Sequence, residues 1–470
     1  MGMNGLLEIG KKGILAHQAS IAVAGHNIAN VNTPGYSRQE AVLATTSPQS
    51  TGAGQVGTGL SVTTIRRDYD IFINEQLIQE GSGFGELHSR ESSLSKVEML
   101  FNDESGVGLN DNINEFFTSL NDLAANPTGY VERRSVKSRG DILSDTINSL
   151  SANLKDLRSG LDEEIKGTVQ EINILTSRIA ELNGNILQSE GGTIVANDYR
   201  DERTMLMREL SGKIDISFYE AEDGRVAIQG KGGFILVQNN SSYELGTATN
   251  LEGHVDIFSL GSGGSSVNIT TLVKSGELGG MLNVRDQDIP GYLAKVDELA
   301  YTLTIEVNNL HGSAYALDGV TTGLDFFADL SGLLSPPAGA AEQMALSADI
   351  LDPASIAAAL NPASPGDNGN ALAMAGLQSL NLLSGGTATF DGYYNGLAAD
   401  IGIDLNSASS RLVHQESMLR QLEMRRESLS GVSLDEEMAD LVRFQHAYEA
   451  SARLISIADE MLETVIGLVR

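Results

Sequence analysis

LDEEMADLVRFQHAYEASARLISIADEMLETVIGLV, residues 434–469, decides how the rest of the chain is read. Leu434, Leu441, Tyr448, Ile455, Leu462 and Val469 recur at intervals of seven, with Met438 and Ala452 in a second row and Ala458 and Val465 beside it. An apolar seam at that period is one face of a long helix that needs a partner. Ser433 followed by Glu436 has the spacing of a capping box and predicts where the helix starts. At the other end of the chain, Leu7, Ile14, Ile21 and Ile28 repeat the interval within residues 3–29, a segment diluted by Gly5, Gly10, Gly13 and Gly25. Each interior glycine weakens a helix by about 1 kcal/mol, so this segment is expected to gain order by docking. The two ends are expected to pair, or to dock on neighbours, through these stripes.

What lies between reads as an insertion into a helical stalk. Asn30, Pro34, Gly35 and Tyr36 belong to a polar turn, because proline disfavours helical geometry at Thr33 and the asparagines can bond the freed backbone groups. Residues 37–58 read as extended or irregular, and 59–65 as a strand. Helical period is strongest from 141 to 187. Leu143, Ile147, Leu150, Leu154, Leu157 and Leu161 are followed, one step out of phase, by Ile165, Thr168, Ile172, Leu175, Ile179, Leu182 and Ile186. Such a stutter unwinds a supercoil locally without ending the helix, and Gly160 and Gly167 beside it allow a bend. A short helix is expected at 198–211. Period two from Ile214 to Ile269 predicts a small glycine-rich antiparallel β unit. Pro290 reads as a helix start, and Leu293, Val296, Ala300, Leu303, Val307 and Leu310 continue from it. Residues 320–370 read as a surface excursion or a loose lobe, followed by helices at 371–382 and 395–430.

The expected fold class is mainly α, with long coiled-coil-like helices formed by both chain ends and an inserted small antiparallel β domain. Five segments follow: 1–64 as terminal helix and extended arm, 65–211 as the first part of a rod, 212–285 as the β insertion, 286–430 as the return of the rod, and 431–470 as the last helix.

Composition narrows the function. Among 470 residues there are 62 acidic and 31 basic side chains, a formal charge of −31, and no basic run longer than a short cluster such as Arg425-Arg426. Nucleic acid is therefore not an expected partner. Aromatic residues make up 5%, with no tryptophan, which argues against an aromatic-lined ligand cleft. Cysteine is absent, excluding disulfides, thiol nucleophiles and thiolate metal sites. None of the seven histidines is spaced four from another, so no metal site is expected. Carboxylate clusters such as Asp435-Glu436-Glu437 read as solvated faces, and the glycine-rich pieces at 81–85 and 230–233 lack the spacing of a phosphate cradle. No catalytic residue and no cofactor is expected. No stretch approaches the ~20 apolar residues that span a bilayer, so membrane insertion is not expected either.

Two motifs point to a family. Gly25-His26-Asn27-Ile28-Ala29-Asn30-Val31-Asn32-Thr33-Pro34-Gly35-Tyr36-Ser37-Arg38 resembles the N-terminal motif of the bacterial flagellar rod, hook and hook-associated proteins, and 444–455 with Met461-Leu462 resembles their C-terminal motif. Residues 65–70, 198–203 and 311–319 support the resemblance. The long helical rod selects a hook–filament junction member over the mostly β hook protein. The resemblance implies a non-enzymatic structural subunit, secreted through the flagellar type III apparatus to the hook–filament junction. Its implied partners are the hook protein, the second junction protein, other copies of itself, and a cytoplasmic export chaperone on the C-terminal helix. The interface residues expected on this basis are Leu7, Ile14, Ile21, Ile28, Asn30, Pro34, Gly35, Tyr36, Leu441, Tyr448, Ala452, Ile455, Leu462 and Val465. The alternatives are a secreted adhesin or effector on a helical stalk, and an enzyme whose active site lies in residues 212–370.

Overall fold

The structure, a computed structural model, describes residues 3–51, 54–102, 108–192, 194–261, 265–333 and 337–468. Val469, the last member of the expected seam, lies outside them. The chain opens with α1 (Met3–Ala29), then β1 (Gln39–Thr45), β2 (Gln49–Thr51), β3 (Gly54–Val56) and β4 (Leu60–Arg67). β1 and β4 pair antiparallel, with an irregularity at Val42/Leu43, and β2 pairs β3 at the tip of the same arm. Helices α2 (Ile71–Phe101), α3 (Leu109–Ala125), α4 (Tyr130–Ser189) and α5 (Asn197–Lys213) follow. Asp70 caps α2, its carboxylate accepting from the Phe72 and Ile73 N–H groups.

At 60 residues, α4 is about 90 Å long and is the axis of the rod. Every member of its expected stripe from Leu143 to Ile186 is buried except Leu157, which packs partly against the core. The helix runs through Gly160 and Gly167 without a break, as the stutter predicts.

Seven strands then form two antiparallel meanders. The first comprises β5 (Ile216–Glu220), β6 (Val226–Gly230), β7 (Ile235–Gln238) and β8 (Ser241–Ser242); the second comprises β9 (Leu245–Thr249), β10 (Val255–Leu260) and β11 (Ser266–Asn268). Three polar side chains on α4 peg both sheets by exchanging bonds with strand backbone. Asp162 accepts from the Val255 N–H at 3.0 Å. Asn173 bonds both backbone groups of Leu245 at 2.8 Å. Asn183 does the same for Val226 at 2.7 and 3.1 Å.

The return helix does not start at Pro290. It begins as α6 (Gly276–Asn283), passes through a π turn at Val284–Asp288 and continues as α7 (Ile289–Gly312). Proline lacks an N–H and its ring crowds the carbonyl one turn back, and the widened turn relieves both conflicts inside a continuous helix. The wide turn is also anchored. Arg285 donates to Asp162 and to the Val255 carbonyl, and Arg90 of α2 pairs with Asp288.

Nor is 320–370 a loose lobe. Phe326 and Phe327 are fully buried and pack tilted against Phe116, at 5.7 and 5.8 Å between ring centroids, beside the Phe117–Phe390 pair. The irregular backbone is satisfied by side chains of the rod. Asn308 bonds the N–H groups of Phe326 and Phe327 and the carbonyl of Phe327. Asp297 accepts from Gly339 and Ala341. His311 Nδ1 bonds the Leu324 carbonyl, and its Nε2 accepts from the Ala357 N–H.

The short α8 (Ala340–Gln343) and α9 (Gly369–Gly376) lead into α10 (Phe390–Ser430), which lies along α2, and then into α11 (Leu434–Leu468), which lies along α1. No helix among the described residues is long and apolar enough to cross a membrane.

Candidate assembly interface

α1 and α11 pair antiparallel. Gly10 lies against Ile455, Gly13 against Ser451, the His17 ring stacks on Phe444, and Asn27 meets Glu437. On α1 the buried row is Gly10, Gly13, Ala16, Ser20, Ala24 and Asn27, a stripe of small and polar residues. The expected row, Leu7, Ile14, Ile21 and Ile28, is half-buried along one side of it. The glycines that weaken the helix in isolation are what let α11 approach. A Cβ at Gly10 would stand 2.6 Å from Ile455 Cγ1 and 3.2 Å from the Ser451 carbonyl.

On α11 the expected first row is partly used, since Leu441, Ile455 and Leu462 are half-buried against α1. The second row is Glu437, Phe444, Ser451 and Ala458, one residue before the expected Met438 and Ala452. Met438 is exposed and Ala452 half-buried, while Tyr448 and Val465 are also exposed. α1 therefore covers only the centre of a broader apolar face. Leu434 and Met438 stand uncovered on one flank; Leu454, Ile457 and Met461 stand uncovered on the other. Ser433 lies 3.5 Å from the Glu436 N–H, a long contact, and the Glu436 carboxylate turns to Arg38 instead of closing the capping box.

Where the pair meets the rod, the polar turn after α1 becomes a buried hub. Asn30 closes the end of α1, its side chain donating to the His26 carbonyl and accepting from the Thr33 hydroxyl. Pro34 is exposed in the turn, and Gly35 takes φ +80° against the Met205 side chain. Tyr36 donates to Asn27 Oδ1 at 2.7 Å; burial, with Asp198, Asp201 and Glu437 nearby, pushes the phenol pKa well up and keeps it neutral. Asn27 also bonds the backbone N–H and carbonyl of Gln39 and donates to Glu437.

Glu437, 2% exposed, takes Arg38 Nε at 2.7 Å, and the Arg38 N–H donates to the Ser430 carbonyl at the end of α10. On the rod side, Asp201 of α5 accepts from the Ser37 N–H and hydroxyl and pairs with Arg67 at 2.6 Å. Gln39 donates to Asp198, and Asn197 donates to the Ile65 carbonyl. Four segments far apart in sequence, 27–39, 65–67, 197–201 and 430–437, are thus tied together, mostly by charge-assisted bonds. The residues that sequence reasoning missed here are Asn27, Ser37, Arg38, Gln39, Asp201 and Glu437. The available signal was a polar residue, Asn27 or Glu437, standing within an apolar helical period.

A recess of about 520 Å3 opens beside the hub between α1, the arm and α11. Its arginines are spent on ion pairs: Arg38 with Glu437, Arg66 with Glu40, and Arg443 with Asp440.

Residues 94–327 match the model of the flagellar hook-associated protein FlgK helical domain, and residues 427–468, covering α11, match that of the flagellar basal body rod FlgEFG protein C-terminal region. Flagellar hook-associated protein 1 of Bacillus subtilis (strain 168) is 29% identical, over 98% of this chain and 97% of that protein. The protein of the same name from Escherichia coli (strain K12) is 25% identical, over 99% of this chain and all of that one. The solved structure of the flagellar hook junction protein FlgK from Burkholderia pseudomallei shares the fold, with a TM-score of 0.69 at 16% identity, covering 76% of this chain and all of that one. Models at both the rod and the last helix, with full-length relatives of one name, place the chain in a single group: it belongs to the flagellar hook-associated protein 1 family.

Proposed function

We propose that this chain is a non-enzymatic structural subunit joining hook to filament, and that the α1/α11 pair is where it seats on its neighbours. One observation carries the reading: after α1 has covered the centre of the α11 face, apolar side chains on both flanks remain in water. Exposed apolar stripes of that kind mark contact surfaces. The neighbours are the hook protein on one side, the second junction protein on the other, and copies of the same chain around the axis. Residues 1–64 and 431–470 form the inner axial layer, 65–211 and 286–430 the rod layer, and 212–285 an outward insertion. The subunit is exported by the flagellar type III apparatus, and a cytoplasmic chaperone shields α11 beforehand.

The test separates the inside of the pair from its outside. Ile457→Asp lies on the uncovered flank, so the purified subunit is expected to keep its circular dichroism and melting temperature while losing incorporation into isolated hooks and rescue of motility. Normal motility in that variant would sink the reading. Leu441→Asp and Ile455→Asp strike the seam and are expected to open the pair as well.

A further inference from the structure

Sulfur in this chain resides only in methionine, because cysteine is absent. The methionines divide by position. Met207, Met281, Met344 and Met374 are at most 3% exposed, whereas Met438 and Met461 on α11 are 53% and 47% exposed. One stands on each uncovered flank: Met438 one turn from Leu434, and Met461 one turn from Ile457. A thioether is apolar, polarizable and adaptable, which suits a contact surface, and it is also the atom that a peroxide attacks.

We infer that Met438 and Met461 are oxidation sites whose conversion to sulfoxide in the unassembled subunit bars α11 from seating on its neighbours. The step balances with hydrogen peroxide as oxidant. A sulfur lone pair takes one peroxide oxygen, an S–O bond forms as the O–O bond breaks, sulfur gives up two electrons, and the second oxygen leaves as water. The sulfoxide is a strong acceptor, and burying it in an apolar contact without a donor is unfavourable. The fold survives because the core methionines are shielded. Once the subunit is seated, the contact covers both sulfurs, so sensitivity belongs to the free chain. Met99 on α2 and Met418 and Met424 on α10 are also exposed, are oxidised in the same treatment and serve as internal controls off α11; Met205 on α5, exposed beside Gly35 of the hub, is oxidised with them and is retained in both proteins compared.

This inference rests on the proposed role of the α11 flanks. The experiment treats purified full-length subunit with hydrogen peroxide, maps sulfoxides by peptide mass spectrometry, and measures incorporation into isolated hooks, for wild type and for Met438→Leu/Met461→Leu. Expected are sulfoxides at 438 and 461, an unchanged melting temperature, and at least a tenfold loss of incorporation for treated wild type. The treated leucine variant, still oxidised at Met99, Met205, Met418 and Met424, is expected to keep at least half. Undiminished incorporation of treated wild type, or equal loss in the leucine variant, overturns the inference. If untreated Ile457→Asp incorporates normally, the flank reading itself fails; if it does not, while treated wild type does, only the oxidation step fails.

Discussion

The terminal pair and the α4 rod both pack helix on helix, yet they use opposite residues. Along α4 the buried row is large and aliphatic, from Leu143 and Ile147 to Ile179 and Ile186, and each of these four side chains is sealed from water. Along α1 the buried row is glycine, alanine, serine and asparagine, while the larger aliphatic side chains sit half-covered at the flanks. The rod draws its stability from apolar area removed from water and is complete within one chain. The pair relies on close backbone approach and a polar hub, and leaves apolar surface for others to cover. A core that closes on itself and a contact that stays open are thus distinguished by which side-chain sizes occupy the seam.

The contrast can be broken most directly in the rod. Phe117→Ala is expected to cost about 3–5 kcal/mol in urea unfolding, because the site is fully enclosed and cannot collapse. Ile457→Ala on α11 is expected to stay within about 0.5 kcal/mol. Equal losses at the two positions would erase the distinction.

Acid strikes the rod next. Burial pushes the His311 pKa down from 6.5 to about 4, with both ring nitrogens committed to backbone partners. The unfolded chain therefore takes up this proton first. Its contribution to stability is full above pH 6.5 and is lost as pH falls toward about 4, by roughly 1.4 kcal/mol per unit. Urea midpoints across that window are expected to flatten in a His311 variant that still folds; an unchanged slope would remove His311 as the cause.

The pair has its own weak point in the hub. Glu437→Ala takes the short ion pair from Arg38 and one acceptor from Asn27, and is expected to cost about 2 kcal/mol. Hydrogen exchange should show α11 loosened while α4 keeps its protection; unchanged protection of α11 would mean the hub does not hold the pair. The smallest effects compare two glycines of α1. Gly10→Ala meets Ile455 and the Ser451 backbone and is expected to destabilise the pair by about 1 kcal/mol or more, whereas Gly25, with open space around it, should gain about 0.5–1 kcal/mol as alanine. Identical signs would show that small size in the seam is incidental.

The α4 stripe, its unbroken stutter, the β insertion and three members of the first row of α11, Leu441, Ile455 and Leu462, were legible because each belongs to a run of large apolar residues at a fixed period. The seam of α1 was not, because Gly10, Gly13 and Ser20 carry no hydrophobic signal and are buried by shape. Pro290 misled for a local reason: its usual place at a helix start gave no hint that a π turn would carry the helix past it. Phe326 and Phe327 were lost in a stretch without periodicity, where rod side chains replace secondary structure as bonding partners. The hub was half-legible. Its residues sit in recognisable motifs, but Ser37 meets Asp201 and Asn27 meets Glu437 across 164 and 410 positions, which no local pattern reports.

That last separation has a kinetic side. Bringing Asn27 to Glu437 through an unfolded chain of such length costs about 5 kcal/mol in the length-dependent part of loop-closure entropy. The rod closes a loop of similar length once, where Gln415 of α10 meets Glu80 of α2 across 335 positions, and once it has formed and the arm has docked, Arg38 and Ser430 already stand at one point. What remains is two tails held at their roots, so docking α11 on α1 becomes a local event. α1 is therefore expected to be the last of the long helices to find its partner.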